Sequence, residues 1–135
     1  MQATAILETV LYATDLEAAE AFYTRVFGLQ VVRRLAGKFV FFRCGAGMLL
    51  IFDPVQSAAV DPANPIPRHG AVGAGHLCFA TGPGQTIEAW RAHFAAQGVA
   101  IETLHVWPGG ARSLYLRDPA GNSIEIGEPK MWGLD

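Results

Sequence analysis

Residues 5–32 read AILETVLYATDLEAAEAFYTRVFGLQVV, and this stretch decides the fold. Its first part, Ala5–Ala13, is rich in β-forming residues that alternate in polarity, which predicts a strand. Thr14 and Glu17 have the spacing of a capping box at the start of a helix. Gly28 is suited to the left-handed position that ends a helix. Between them, apolar side chains recur at helical spacing: Leu16, Ala19, Phe22, Tyr23 and Val26.

The rest of the first half predicts three more strands joined by glycine-containing turns. They are Leu29–Leu35, Lys38–Cys44 and Met48–Asp53. The following segment, residues 54–70, contains four prolines and little periodicity. We therefore expect a linker or lid there rather than a helix or strand.

The second half repeats this plan in the same order, with the helix again ended by a glycine, Gly98. An internal repeat of this kind indicates two copies of one supersecondary unit. The predicted fold is therefore α+β, a single 135-residue domain of two βαβββ modules whose curved sheets enclose a cavity. We assign module one to residues 5–53, the linker to 54–70, module two to 71–128 and a tail to 129–135. The predicted elements of the second half are a strand at Gly75–Ala80, a helix at Gln85–Gln97, and strands at Val99–Trp107, Arg112–Arg117 and Ser123–Gly127.

Composition narrows the class of protein. The formal net charge is −2, with no block of like charges, which argues against nucleic acid or an anionic membrane as a partner. No apolar run approaches the ~18 residues of a membrane-spanning helix. The amino-terminal sequence lacks the charged region of a signal peptide. Cys44 and Cys78 stand alone in strand-like runs, which favours reduced thiols. We expect a cytoplasmic protein that acts on a small molecule.

Three motifs in the correct order resemble the vicinal-oxygen-chelate superfamily, the glyoxalase, bleomycin-resistance and dioxygenase group. They are LETVLYATDLEAAEAFYTRVFGLQVV at 7–32, GHLCFA at 75–80 and RDPAGNSIEI at 117–126. The resemblance extends over nearly the whole chain. It implies paired βαβββ modules, a small-molecule ligand and a homodimer, with the apolar residues 131–134 as an interface candidate.

The resemblance also implies a metal site with three protein ligands: Glu8, His76 and Glu125. The family most often has histidine at the first of these positions, so Glu8 departs from the pattern. The fourth ligand that glyoxalase I uses would fall on Leu50 or Ile51, and neither side chain coordinates a metal. From this missing ligand we expect that the chain is not an authentic glyoxalase I.

Physical chemistry supports a charged site at these positions. Glu8, His76 and Glu125 are ionisable residues in otherwise apolar strands, where an unpaired carboxylate is costly to bury. Two carboxylates and an imidazole suit a divalent ion such as Mn, Fe, Ni, Co or Zn. The alternative is a metal-free pocket in which a carboxylate pairs with an arginine, for which Arg43 and Arg112 are the candidates.

Several other residues are candidates for the wall of a substrate pocket. A weaker resemblance to fosfomycin-resistance thiol transferases implies that Ser113 and Tyr115 face the pocket. His69 is a candidate acid or base, although a lone loop histidine is more often at the surface. The predicted substrate-binding set is Arg43, Phe52, Trp107, Arg112, Ser113 and Tyr115.

Two functions follow from these residues. The first is a metal-dependent lyase, isomerase or transferase in which the ion chelates two adjacent substrate oxygens. Glu8 or Glu125 would then serve as general base, with Tyr115 as a further catalytic residue. The second is a metal-free binding protein of the bleomycin-resistance kind. Its stacking surface would come from Phe52, Trp107, Tyr115 and Trp132.

Overall fold

The computed structural model describes residues 1–134, which form two compact units, residues 1–73 and residues 74–134. Each unit has a four-stranded mixed sheet and one long helix that contacts it. The two units share the same order of strand, helix and three strands. The predicted α+β class and two-module repeat are therefore confirmed.

The first unit has the sheet order β1-β4-β3-β2, in which β1 and β4 are parallel and the other neighbours antiparallel. Alternate side chains of the sheet are buried with those of the helix α1, which explains the helical spacing of Phe22, Tyr23 and Val26. The elements are β1 (Glu8–Tyr12), α1 (Leu16–Phe27), β2 (Gln30–Leu35), β3 (Phe39–Cys44), β4 (Gly47–Phe52) and α2 (Pro54–Ala58).

The second unit has the equivalent sheet order, β5-β8-β7-β6, with β5 and β8 parallel. Helix α3 contacts β7 and β8. Leu114, Leu116, Ile124 and Ile126 are at most 1% exposed, so one sheet face is core and the alternate residues form the other face. The elements are β5 (His76–Ala80), α3 (Ile87–Ala96), β6 (Thr103–Val106), β7 (Arg112–Arg117), β8 (Ser123–Gly127) and a 3-10 helix (Pro129–Trp132).

Two details of the first unit differ from the predictions. The α1 cap is Asp15 rather than Thr14, because the Asp15 carboxylate accepts a 2.9 Å hydrogen bond from the backbone N–H of Ala18. Residues 54–70, predicted to contain no helix or strand, begin with α2. Asp53 caps this helix by accepting hydrogen bonds from two backbone N–H groups, and Pro54 suits its first position. One turn of helix is too short to produce a periodic pattern.

None of the helices in residues 1–134 has the length and apolar character that crossing a membrane requires.

The identity of the α1 cap can be tested by two single substitutions. Asp15→Ala should lower the free energy of unfolding by about 1 kcal/mol, the usual cost of losing a cap. Thr14→Ala should change it by less than ~0.5 kcal/mol, as a surface substitution does. Urea denaturation of both variants measures the two values, and the opposite ranking would restore the capping box centred on Thr14.

Candidate metal and substrate site

Strand register brings the candidate residues of the second unit onto one face of its sheet. Strand β8 lies between β5 and β7, so Glu125 is paired with Cys78 on one side and Tyr115 on the other. His76 is two residues before Cys78 and therefore projects from the same face. The alternation that buries the isoleucines on either side of Glu125 turns its carboxylate away from α3.

The closing turn of β7 and β8 fixes the position of His76 along the sheet. Asp118 accepts hydrogen bonds from the backbone N–H and side-chain amide of Asn122, both at 2.9 Å. The side-chain oxygen of Asn122 accepts a 2.8 Å hydrogen bond from the backbone N–H of Gly75, immediately before β5. Both turn residues are buried. The Asp-Pro-Ala-Gly-Asn motif thus holds β5 beside β8.

His76 and Glu125 are in direct contact. His76 Nδ1 lies 3.1 Å from the backbone carbonyl oxygen of Ser123, which only accepts, so Nδ1 carries the ring proton. In the neutral imidazole Nε2 therefore keeps its lone pair. This Nε2 lies 3.4 Å from Glu125 Oε2. A lone pair and a carboxylate oxygen that face each other at this distance require a proton or a metal cation between them.

Glu125 is only 4% exposed, and its Oε1 atom is buried with no hydrogen-bond partner among the described residues. Burial and the adjacent Glu125 carboxylate raise the pKa of the Cys78 thiol to about 12. The same two causes raise the pKa of the Tyr115 hydroxyl to about 12. Both groups are therefore protonated at pH 7 and face the carboxylate as neutral donors. Neither supplies the positive charge that the carboxylate lacks.

These observations test whether a divalent ion fits. One imidazole nitrogen and one carboxylate with a free oxygen are donors that suit borderline divalent metals, and the Ser123 contact is the kind that orients a ligating histidine. Within residues 1–134 no three His, Cys, Asp or Glu side chains form a group that could hold an ion. The structure therefore brings together two of the three predicted ligands. Glu8 belongs to the first unit, and its role as a ligand stays a prediction.

The other candidates in the second unit are already engaged by neighbours. Ser113 is fully buried, and its hydroxyl accepts a 3.0 Å hydrogen bond from Trp107 Nε1. Arg112 forms ion pairs with Glu88 and Glu128. It therefore does not neutralise Glu125. Its two ion pairs instead connect β7 with α3 and with the residue that follows β8.

The candidates of the first unit lie on the sheet face opposite α1. Glu8 and Arg43 are both exposed and flank Met48 in one row across three strands. Phe52 is half-buried, and its ring is 4.6 Å from that of His69. The Tyr12 hydroxyl lies 2.7 Å from His69 Nδ1. A loop histidine is more often at the surface, but His69 is half-buried among aromatic rings.

Cys78 is the site residue that sequence reasoning missed. Its strand-like run in the sequence indicates only a buried reduced thiol, whereas in the structure it is the strand neighbour of Glu125. The available signal was its position two residues after His76 in a strand, which places both side chains on one face.

Two cavities differ in their relation to these residues. A cavity of about 380 Å³ in the second unit includes Tyr115 and Ser123 in its wall. A larger cavity of about 660 Å³ lies between α1 and the β2–β3 hairpin and contains none of the predicted site residues. Chemistry rather than size therefore selects the smaller cavity as part of the candidate site.

Two α+β modules and an imidazole–carboxylate pair beside a cavity are the features expected of a small-molecule-binding protein. The model of the Glyoxalase/Bleomycin resistance protein/Dioxygenase superfamily matches residues 5–126. The chain belongs to this superfamily, as the three sequence motifs indicated.

Solved structures similar to this chain give further detail. A lactoylglutathione lyase from Agrobacterium tumefaciens is 54% identical, with 98% of this chain and 99% of that chain covered and a TM-score of 0.95. A glyoxalase family protein from Enterococcus faecalis is 25% identical over 92% and 97%, with a TM-score of 0.68. A virulence protein from Salmonella typhimurium is 25% identical over 95% and 98%, with a TM-score of 0.71. No curated protein sequence matches the chain.

The expectation that the chain is not an authentic glyoxalase I is wrong in view of the first of these similarities. It rested on Leu50 and Ile51, which occupy the position of a fourth metal ligand and are buried, apolar side chains here. A relative 54% identical over almost its whole length is a lactoylglutathione lyase, that is, a glyoxalase I. The missing fourth carboxylate therefore does not exclude the activity, because catalytic metal sites also work with three protein ligands and open positions.

The contact between Cys78 and Glu125 can be tested by alkylation of the chelator-treated protein with iodoacetamide at pH 9. Glu125→Gln removes the carboxylate that raises the pKa of Cys78, so alkylation of Cys78 should accelerate, by up to about tenfold for each pKa unit lost. Cys44 is an internal control, because burial alone raises its pKa. Equal acceleration of both thiols would indicate general loosening of the fold instead.

Proposed function

We propose that the chain is a metal-dependent lyase of the lactoylglutathione lyase type. The observation that carries the proposal is the buried carboxylate of Glu125, which has one oxygen without a partner and the other 3.4 Å from an imidazole nitrogen. The 54% identity to a lactoylglutathione lyase supports the substrate. Lactoylglutathione has a hydroxyl and a thioester carbonyl on adjacent carbons, which is the oxygen-chelating pattern predicted from the sequence.

His76 and Glu125 would hold the divalent ion, with Glu8 as the proposed third ligand. When bound, the ion supplies Lewis-acid polarisation of the two adjacent substrate oxygens. His76 suits this role because its Nδ1 proton is committed to the Ser123 carbonyl, which directs the Nε2 lone pair into the site. These donors suit the divalent ions of Mn, Fe, Ni, Co and Zn alike and do not distinguish between them.

The reaction itself is a proton transfer between adjacent carbons. A base removes the proton from the hydroxyl-bearing carbon, and the C–H electron pair becomes a carbon–carbon double bond while negative charge moves to the thioester oxygen. Return of a proton to the thioester carbon, with transfer of the hydroxyl proton to the former thioester oxygen, gives a hemithioacetal, which releases the thiol and a 2-oxoaldehyde. Glu125 is our candidate for the base, because as a carboxylate beside His76 it would leave the ion to take up the proton; Glu8 is the second carboxylate available.

Tyr115 would stabilise the negative charge that develops on the substrate oxygen. Its hydroxyl has a pKa raised to about 12, so it remains a hydrogen-bond donor throughout the neutral range. A fixed donor directed at a developing oxyanion stabilises the transition state more than the ground state. Tyr115 is therefore a proposed catalytic residue alongside Glu125.

One observation favours binding without chemistry as a second function. The first unit has a cluster of aromatic rings on its exposed sheet face, and ring centroids within it are 4.2–6.0 Å apart. Such a surface suits an aromatic ligand. Aromatic antibiotics would then raise the melting temperature by the same amount in Glu8→Gln as in the unmodified protein. This result, together with no turnover of the antibiotics, would favour binding without chemistry. The cluster comprises Tyr12, Phe39, Phe41, Phe52 and His69.

We also propose a homodimer in the cytoplasm. Superfamily members often dimerise, and Trp132 and Leu134 are 73% and 67% exposed in the carboxyl-terminal segment. Met131 differs from them, because it packs against Gly127 and Ser113. Gel filtration with light scattering gives the mass directly, and a Trp132→Ser, Leu134→Ser variant that remains dimeric would remove this segment from the interface.

Formation of lactoylglutathione tests the proposed function, because isomerisation of the hemithioacetal to the thioester is the thermodynamically favoured direction of the same steps. The protein supplied with Zn²⁺, Ni²⁺ or Mn²⁺ should convert the hemithioacetal of glutathione and a 2-oxoaldehyde into the thioester, measured by the ultraviolet absorbance of the thioester. Glu125→Gln should lower kcat/KM by about 10²–10⁴-fold, the usual contribution of a general base. Tyr115→Phe should lower kcat by about 10–10³-fold with little change in KM, as expected for one donor to an oxyanion.

Glu88→Gln is the matched control, because it makes the same change at an exposed glutamate of the same unit. Its kcat/KM should stay within about twofold, since surface substitutions have small effects. Full activity of Glu125→Gln would contradict the assignment of that residue. No formation of thioester with any of the three ions would contradict the proposed function.

A further inference from the structure

The cavity of about 380 Å³ adjoins the His76–Glu125 pair on the face of the second sheet that is turned away from α3. Its volume lies within the range of ~300–1,000 Å³ that is typical of small-molecule sites. Two residues of its wall also contact or adjoin the His76–Glu125 pair, where the substrate would react. Tyr115 is the strand neighbour of Glu125, and the Ser123 carbonyl accepts from His76 Nδ1. The cavity is therefore placed to receive the part of a substrate that does not react.

The rim of this cavity carries a fixed pair of opposite charges. Arg117 Nε lies 2.7 Å from Glu102 Oε2, and Arg117 Nη2 lies 3.1 Å from Glu102 Oε1. A third contact, from Arg117 Nη1 to the Gly121 carbonyl at 3.2 Å, fixes the guanidinium further. Both side chains are still about half exposed, at 48% and 49%. Each partner therefore has hydrogen-bonding capacity left for a ligand.

This arrangement favours a zwitterion over a simple anion. A lone carboxylate would have to compete with Glu102 for the guanidinium. An α-amino acid group instead presents its carboxylate to Arg117 and its ammonium to Glu102, so that both charges of the rim are complemented. The chemical class that fits is a ligand with a free α-amino and α-carboxyl group at one end.

Trp107 and His105 supply the wall beside the charged pair. The Trp107 indole is held by the hydrogen bond from its Nε1 to the Ser113 hydroxyl, at 3.0 Å. The His105 ring packs edge-on against it, with the centroids 4.6 Å apart. A fixed indole face suits the methylene groups that join an amino acid end to an amide.

The spacing along the sheet matches such a ligand. Arg117, Ser123 and His76 are paired in register across three adjacent strands. Two strand spacings of ~4.8 Å place Arg117 roughly 10 Å from His76. In glutathione the α-carbon of the γ-glutamyl end is seven bonds from the sulfur, or roughly 8–9 Å when extended, at about 3.5 Å for each three bonds.

We propose that Glu102 and Arg117 bind the α-amino-acid end of the γ-glutamyl group of a thiol-peptide substrate, with Trp107 against its methylene chain. This inference rests on the proposed function, which supplies the reacting thioester at His76 and Glu125. It assigns substrate selectivity to a charged pair that takes no part in the proton transfer.

Calorimetric binding of S-methylglutathione, a thioether that cannot react, tests the inference without turnover. The comparison ligand is its deamino analogue, glutaryl-S-methylcysteinylglycine, which lacks only the ammonium group. The unmodified protein should bind S-methylglutathione about tenfold more tightly, as expected for one charged hydrogen bond at a partly exposed site. In Glu102→Gln the difference should fall below about twofold, because the partner of the ammonium is lost. Arg117→Lys should weaken both ligands equally.

Glu20→Gln is the control, because it breaks another exposed ion pair, Arg34–Glu20 in the first unit, and should keep the tenfold preference. Melting curves verify that each variant is folded. Equal binding of the two ligands by the unmodified protein, or a preference that survives Glu102→Gln, overturns the inference even if the protein forms lactoylglutathione. If the protein neither binds S-methylglutathione nor forms lactoylglutathione, the proposed function fails as well.

Discussion

The carboxylate of Glu125 is the feature on which the rest of the account depends. It is held on the central strand pair of the second sheet, 4% exposed, between isoleucines that belong to the core. An ionised carboxylate in such a place is costly unless it is paired with positive charge and hydrogen-bonded. Its neighbours Cys78 and Tyr115 are neutral donors, and one carboxylate oxygen has no partner among the described residues. The divalent ion that we propose between His76 and Glu125 would resolve this imbalance.

Strand geometry connects this carboxylate with the fold. Because side chains alternate across a strand, the register that buries Ile124 and Ile126 also presents Glu125 on the opposite face. A shift of one residue would exchange the two sets. The Asp118–Asn122 turn prevents that shift, since it joins β8 to the residue before β5. Asp118 and Asn122 thus contribute to the site by holding β5 and β8 in register, not by contacting a substrate.

Much of this could be predicted from the sequence. The repeat of strand, helix and three strands is encoded locally, in apolar periodicity and in glycines such as Gly28 and Gly98, both of which have positive φ. His76 and Glu125 stood out because ionisable residues are rare in apolar strands. Their 3.4 Å contact depends on the parallel pairing of β5 and β8, and the sequence of a single strand does not indicate which strand it pairs with.

The features that could not be predicted depend on partners distant in sequence or on very short elements. The ion pairs of Arg112 with Glu88 and Glu128 join β7 to α3 and to the residue after β8, so no local spacing indicates them. The role of Cys78 depends on strand pairing in the same way. The inference against glyoxalase I failed for another reason. It treated the number of ligands as decisive, whereas a metal site tolerates water or substrate in an open position.

Calorimetric titration of chelator-treated protein with Zn²⁺, Ni²⁺ and Mn²⁺ measures directly whether His76 and Glu125 hold an ion. We expect one ion per chain for at least one of these metals, with affinity lowered at least about tenfold by either His76→Ala or Glu125→Gln, as expected when a ligand is lost. A parallel titration of Glu8→Gln tests the third proposed ligand. No binding of any of the three ions, or binding unchanged by the loss of both His76 and Glu125, would contradict the account.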